Sequence, residues 1–315
     1  MSNTMKGVVL QGTVPQLRHD LPVPPVAKGE VRVKVLYSTV NGHEIELAAN
    51  RPMRLLNKLL GARGEVQTGL EFSGVVETDG EVFSKGEKVL GYVDLTKGWK
   101  PHAEYLSIPE AYLARLPDRL CPAEAAALPM SALTALVALR DIGKVRAGDS
   151  ILILGASGGV GVMAVQIAKM LGAKTTAVAS SAHHELLKTL GADALIDYRS
   201  DDIAQIDQRY ALIFDLTTMY RYAQVRHLLT TDGVFVPANP FNSLIDMIVH
   251  RKAVRWLLVD KGDSAQIGEL ADWAATGQLK AVIDQKFELP HYQEAFERAL
   301  ARGKAGRVLI EIQEA

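Results

Sequence analysis

The sequence predicts a two-domain α/β protein: a mostly-β part, then a doubly wound parallel sheet. Three observations carry this. At 315 residues the chain exceeds the size at which one hydrophobic core usually stops growing. Its first third alternates β-branched residues with Gly, Asp and Lys turn signals, and from Ser150 onward short apolar runs alternate with helical patterns.

In order, "KGVVL", "GEVRVKVLYSTV", "FSGVVETDGEVFSKGEKVLGY" and "HAEYLSI" read as strands and turns. Between them, "IELAANRPMRLLNKLLGARGE" places Leu55, Leu56, Leu59 and Leu60 at helical spacing after Pro52, which predicts a surface helix or lid. "CPAEAAALPMSALTALVALRDIG" is alanine-rich helix. It is followed by strand–helix alternation through "SILIL", "VMAVQIAKML", "KTTAVAS", "HHELLKTL", "ALID", "YALIFDL", "YAQVRHLL" and "GVFVPAN", and "FELPHYQEAFERALARGKAGRVLIEI" ends in a helix and a strand.

Charge and cysteine content exclude several classes of function. With 35 basic against 36 acidic residues and a formal net charge of −1, nothing marks a nucleic-acid partner. No apolar run reads as a membrane span, and the first residues carry no signal-peptide h-region. The single cysteine, Cys121, cannot form an internal disulfide or a thiolate zinc cluster, so the expected setting is cytoplasmic.

The chemistry concentrates in "SILILGASGGVGVMAVQIAKML". Gly155, Gly158 and Gly161 recur every third residue between a strand and a helix, with Gly159, Val160 and Ser157 beside them. Without Cβ atoms the backbone can turn tightly and approach a pyrophosphate, while the helix N–H groups face the anion. The alternative is a tight turn with no ligand, but the strand, helix and following βα units supply the context a dinucleotide site needs. About twenty residues beyond the glycines, where an acidic residue would hold the ribose 2′-hydroxyl of NAD, stand Ser180 and Ser181. Serine leaves room for a 2′-phosphate, and His183 or His184 would add a donor, so the cofactor expected is NADPH.

The stretch Gly148 to Lys169 resembles the quinone oxidoreductase/zeta-crystallin signature of the medium-chain dehydrogenase/reductase superfamily. The resemblance extends through "STVNGHE", "GLEFSGVV", "FSKGEKVLGY", "EAAALPMSALTALVAL", "LGADALIDY" and "GRVLIEI". It implies a GroES-like β domain (residues 1–118 and 285–315) and an inserted Rossmann domain (119–284), with the active cleft at their junction. It further implies that Tyr198 and Arg302 contact the 2′-phosphate. Asn41, Thr134 and Asn239 would lie near the nicotinamide. Asn41 also reads as a turn residue, and Thr134 as a helix-interior hydroxyl bonded to its own backbone.

Zinc-dependent members of that superfamily need Cys or His ligands. Here the corresponding positions hold Leu70 and Met130, so no metal is expected, and His43, Glu44 and Glu71 read as structural. Without a Lewis acid the fitting acceptors are quinones and α,β-unsaturated carbonyls, which accept a hydride at carbon and spread charge onto oxygen. Tyr92 is the tyrosine to consider as proton donor, with pocket wall or packing as its other reading. The expected activity is therefore NADPH-dependent, zinc-independent reduction of a quinone or enone. An enoyl-thioester or 2-alkenal reductase is the enzymatic alternative, and a non-catalytic NADPH-binding sensor the alternative of another class. A homodimer is left open, because "PFNSLIDMIVHRKAVRWLLVDKGD" suits either a pocket or a subunit interface.

Overall fold

The computed structural model of the chain describes residues 3–41, 65–96, 98–238 and 243–314. It divides into two compact units, Met1–Met130 with Asp260–Gly277 and Ile283–Ala315, and Ser131–Val259 with Gln278–Val282. The helix expected around Leu55 to Leu60 lies outside the described residues.

In the first unit β1 (Thr4–Gln11) forms a hairpin with β2 (Val14–Pro22). β3 (Glu30–Val40) follows, and its Val31, Val33 and Val35 are buried while Arg32 and Lys34 are half-buried, the period-2 pattern of a sheet with one covered face. β4 (Glu65–Gln67) pairs with β1, completing a three-stranded sheet. The larger sheet continues from β3 to β5 (Glu71–Val76), β6 (Lys88–Tyr92) and β8 (Leu113–Arg115), and β7 (Tyr105–Pro109) also pairs with β3.

The second unit carries a five-stranded parallel sheet. Its strands are β9 (Ser150–Leu154), β10 (Lys174–Ala179), β11 (Ala194–Asp197), β12 (Tyr210–Asp215) and β13 (Leu229–Pro237), in the order β11-β10-β9-β12-β13. Ile151 to Leu154 are all buried, as expected of a strand covered on both faces. Leu152, Leu154, Ile213 and Phe235 belong to one core cluster. The chain runs outward from β9 to β11, then returns to β12 on β9's other side. The carboxyl ends of β9 and β12 therefore form a topological switch point, where doubly wound sheets bind ligands.

The unit boundaries differ from those read in the sequence: residues 119–130 and 260–277 belong with the first unit. Hydrogen bonds explain both. Helix α1 (Pro122–Ala126) offers its Pro122 carbonyl to Ser73 Oγ at 2.6 Å, and the backbone N–H of Met130, at the start of helix α2 (Pro129–Leu136), donates to Glu71 Oε2 at 2.8 Å. Farther on, Leu95 N–H donates to Asp260 O and Gly262 N–H to Tyr92 O, at 2.8 and 3.0 Å. Residues 278–282 stay with the second unit because the Gln166 amide brackets Lys280, donating to its carbonyl at 3.0 Å and accepting its N–H at 2.8 Å. The first unit's sheet closes at the far end of the sequence. β14 (Ile283–Glu288) pairs in parallel with β15 (Arg307–Glu311), and β15 pairs antiparallel with β3.

Candidate functional site

Helix α3 (Gly159–Met170) begins at the switch point directly after β9. Gly155 holds φ +83°, a region that disfavours side chains, and a Cβ on Gly161 would stand 2.4 Å from the carbonyl oxygen of Gly155. These two glycines let the helix close onto the strand. A Cβ on Gly158 would meet only Gly155 O, at 3.5 Å, so the approach to this backbone is open. The N-cap, Gly158, brings no capping side chain, so among the described residues the first N–H groups of the helix are left to an anion or to water. Ser157 and Val160 are half-buried in the same turn.

Ser180 directly follows the neighbouring strand β10. Ser180 Oγ and His183 Nε2 are buried atoms with no hydrogen-bond partner among the described residues. Buried polar atoms of this kind call for a ligand or water. His184, the first residue of helix α4 (His184–Leu190), instead places Nε2 3.4 Å from the Ala179 carbonyl. Asp197, which no sequence motif singles out, accepts from the Ser181 and Arg199 N–H groups at 3.1 and 3.0 Å. The Ser181 hydroxyl and these amides hold its carboxyl below the usual range. Its charge is thus spent on tying the β10 loop to β11. Tyr198 is exposed, with the Arg199 guanidinium 5.8 Å from its ring centroid. These groups fit the diphosphate and ribose end of a dinucleotide.

In the first unit, backbone register assembles a buried polar cluster. Val40 faces Val308 and Ser38 faces Phe72, so Asn41 falls beside Arg307 and Thr39 beside Glu71. Glu71 is fully buried and Arg307 is 7% exposed. Glu71 Oε1 accepts from Arg307 Nε at 2.8 Å, from Arg307 Nη2, and from Thr39 Oγ1 at 2.7 Å, while Oε2 takes the Met130 N–H. The remaining guanidinium nitrogen, Nη1, donates to Asn41 Oδ1. Asn41 itself is 6% exposed.

Tyr92 stands opposite Glu71 in the β5–β6 ladder and is 1% exposed. Burial first, and then the Glu71 charge, pushes its phenol far above the ordinary tyrosine range. A tyrosine buried at this place in the ladder suits packing.

Thr134 is half-buried in α2, which runs into a π-helical turn at Val137–Ile142. Arg302 is exposed in the bend before β15. Asn239, His43 and Glu44 lie outside the described residues. The glycine turn, Ser180, Ser181, His183, Tyr198 and Thr134 share the second unit, whereas Asn41, Tyr92 and Arg302 belong to the first.

In the sequence Glu71 reads as structural, without a partner to explain it, and no motif singles out Arg307. Their signal was present: an acid between Leu70 and Phe72 in an apolar strand needs a buried cation. Among the described residues no three of His, Cys, Asp or Glu cluster as a metal site, and both Glu71 oxygens are committed to protein donors. No described helix is long and apolar enough to cross a membrane.

Several known proteins are similar to this chain. A family model described as zinc-binding dehydrogenase matches residues 190–310. NAD(P)H oxidoreductase RTN4IP1, mitochondrial, from Homo sapiens is 34% identical, with 87% of this chain and 80% of that protein covered. Quinone-oxidoreductase QR1, chloroplastic, from Triphysaria versicolor is 27% identical over 94% of both. NADPH-dependent alkenal/one oxidoreductase, chloroplastic, from Arabidopsis thaliana is 28% identical over 94% of this chain and 75% of that protein. Among solved structures, the quinone oxidoreductase from Coxiella burnetii superposes with a TM-score of 0.86 at 24% identity, covering 98% of this chain and all of the other. That likeness establishes the GroES-like plus Rossmann fold.

Proposed function

Because this chain belongs to the quinone oxidoreductase family of the medium-chain dehydrogenase/reductases, we propose that it is an NADPH-dependent reductase of quinones or α,β-unsaturated carbonyl compounds. The observation that carries the reading is the open glycine turn at the β9/β12 switch point with two buried polar atoms, Ser180 Oγ and His183 Nε2, that have no partner among the described residues, just beyond the adjacent strand. NADPH, when bound, supplies the hydride. The Gly155–Gly161 turn, with Ser157, Gly158, Gly159 and Val160, would hold its diphosphate on the helix N–H groups. Ser180, Ser181, His183, Tyr198 and Arg302 would hold the 2′-phosphate, Thr134 and Asn239 would flank the nicotinamide, and Asn41 would orient the reacting carbonyl. Tyr92 stands in this proposal as a packing residue, and the proton comes from solvent.

The reaction is zinc-independent in this proposal, because Leu70 and Met130 bring no metal-binding nitrogen or thiolate and Glu71 is held by Arg307, Thr39 and Met130. NADPH oxidation is expected with at least one quinone, enone or enoyl-thioester, undiminished after dialysis against chelator. Cofactor binding without turnover of any acceptor would make the chain a sensor, and loss of activity with stoichiometric zinc would overturn metal independence. Replacing Arg302 by Ala is expected to weaken NADPH by roughly 1.5–3 kcal/mol, the value of a charge-assisted hydrogen bond, while sparing NADH. Equal losses in fluorescence titrations would remove Arg302 from the 2′-phosphate site.

A second copy of this chain is the proposed partner for an apolar surface of the second unit. There helix α5 (Tyr222–Val225) precedes β13 and helix α6 (Leu244–Val249) follows it. Leu244, Ile245, Ile248 and Val249 on α6 are exposed together with Trp256 and Leu258, a concentration that marks an interface. Sedimentation is expected to show a dimer, and a monomer at all concentrations would rule it out. A cytoplasmic location, suggested by the lone Cys121, belongs to the same proposal; the curated relatives above are named for chloroplasts and mitochondria.

A further inference from the structure

We propose that Arg307, itself held by Glu71, is a positioning residue for Asn41: it fixes the carboxamide with Oδ1 toward the guanidinium, so that Nδ2 is the half that meets the reacting group. This rests on the assignment of Asn41 to the substrate end made above.

A guanidinium carries five N–H donors and no acceptor. An amide facing it has one sensible orientation, oxygen inward, and that orientation is the one present at Arg307 Nη1. The guanidinium cannot turn away, because its other edge is occupied: Nε and Nη2 both donate to Glu71 Oε1. Glu71 in turn is fixed by Thr39 Oγ1 on one oxygen and by the Met130 N–H on the other. Each link is a short, charge-assisted hydrogen bond, all but the half-buried Met130 N–H between buried groups, and two strand registers place the side chains.

Stability alone does not account for the arrangement, since a buried ion pair is often no better than apolar side chains of similar volume. The arrangement does supply orientation. Arginine offers donors only, so a flipped amide would find no acceptor on it. Its planar fork also spans Glu71 and Asn41 at once, which the single ammonium of lysine does not reproduce.

The test is a double-mutant cycle with Arg307→Lys and Asn41→Ala. Arg307→Lys is expected to lower kcat about 5- to 50-fold through loss of amide orientation, with KM for NADPH and the dissociation constant of NADPH changed less than about threefold, as expected where only transition-state contacts are lost. In the Asn41→Ala background the same substitution is expected to change kcat by less than about twofold, because its target is gone. In the cofactor-free protein the side-chain NH2 signal of Asn41, identified by its absence from Asn41→Ala in proton–nitrogen correlation spectra, is expected to move in Arg307→Lys. Multiplying losses in the double variant, an unmoved amide signal, or an unchanged kcat in Arg307→Lys would each overturn the positioning role. An unchanged kcat in Asn41→Ala would instead overturn the assignment of Asn41. Should Arg307→Lys fail to fold, Glu71→Gln, which keeps the shape of the side chain but releases the guanidinium, takes its place in the same cycle with the same expectations.

Discussion

Asn41→Ala is expected to lower turnover by roughly ten- to a thousandfold, the range seen when one oriented donor to a developing charge is lost. Asn has no proton to transfer at neutral pH, but its amide donates and accepts at once, which suits holding an enolate oxygen or a carboxamide. The substitution also strips Arg307 Nη1 of the amide oxygen it donates to, at a cost of about 1–3 kcal/mol. That loss is affordable for a sheet whose β3 ladder stays intact. NADPH affinity is expected to survive, because the glycine turn belongs to the other unit. Turnover measured beside circular dichroism and cofactor titration separates these effects. A folded variant with unchanged turnover would remove Asn41 from the chemistry, and attention would pass to His43 and Glu44 in the same motif.

Glu71→Ala is expected to be the most damaging single change to the first unit. It leaves the Arg307 guanidinium buried without a counter-charge, and it deprives Thr39 Oγ1 and the Met130 N–H of their acceptor. Breaking a buried pair from one side costs about 3–5 kcal/mol, which for a unit of this size lowers the melting midpoint on the order of 6–20 °C. The double change Glu71→Leu with Arg307→Met is expected to recover most of that loss, since no charge is then stranded. Equal melting temperatures for wild type and Glu71→Ala would mean that the guanidinium reaches solvent.

Local patterns exposed much of this architecture in advance. The alternation in "VRVKV" and the uniform apolarity of "ILIL" distinguish a one-sided from a two-sided strand within a few residues. The glycine spacing likewise encodes a close helix approach that the 2.4 Å distance at Gly161 makes concrete. Non-local features were hidden. Which unit owns residues 260–277 depends on hydrogen bonds from Gly262 to Tyr92 and from Leu95 to Asp260, and nothing in the helical pattern of Ser264–Ala275, α7 here, reports them. The same holds for the amphipathic helix α8 (Tyr292–Leu300), whose pattern marks Phe296 as buried but does not say that its ring packs on His102. Tyr92 was ambiguous for the opposite reason: a tyrosine at a strand end reads as a polar handle until its hydroxyl is found inside. Glu71 and Arg307 lie 236 positions apart, too far for spacing to suggest a pair.

The antiparallel seam between β3 and β15 also sets an order of events during synthesis. Asn41 emerges from the ribosome 266 residues before Arg307, so the Tyr37–Val40 stretch of β3, which β7 does not cover, must wait without its partner while the second unit's strands, contiguous from Ser150 to Pro237, appear and can pair. A nascent chain stopped after β13 but short of β15 would carry the strands of a finished parallel sheet together with a first unit that has an open strand edge and an uncompensated buried carboxylate, the kind of surface that chaperones bind and that aggregates form around.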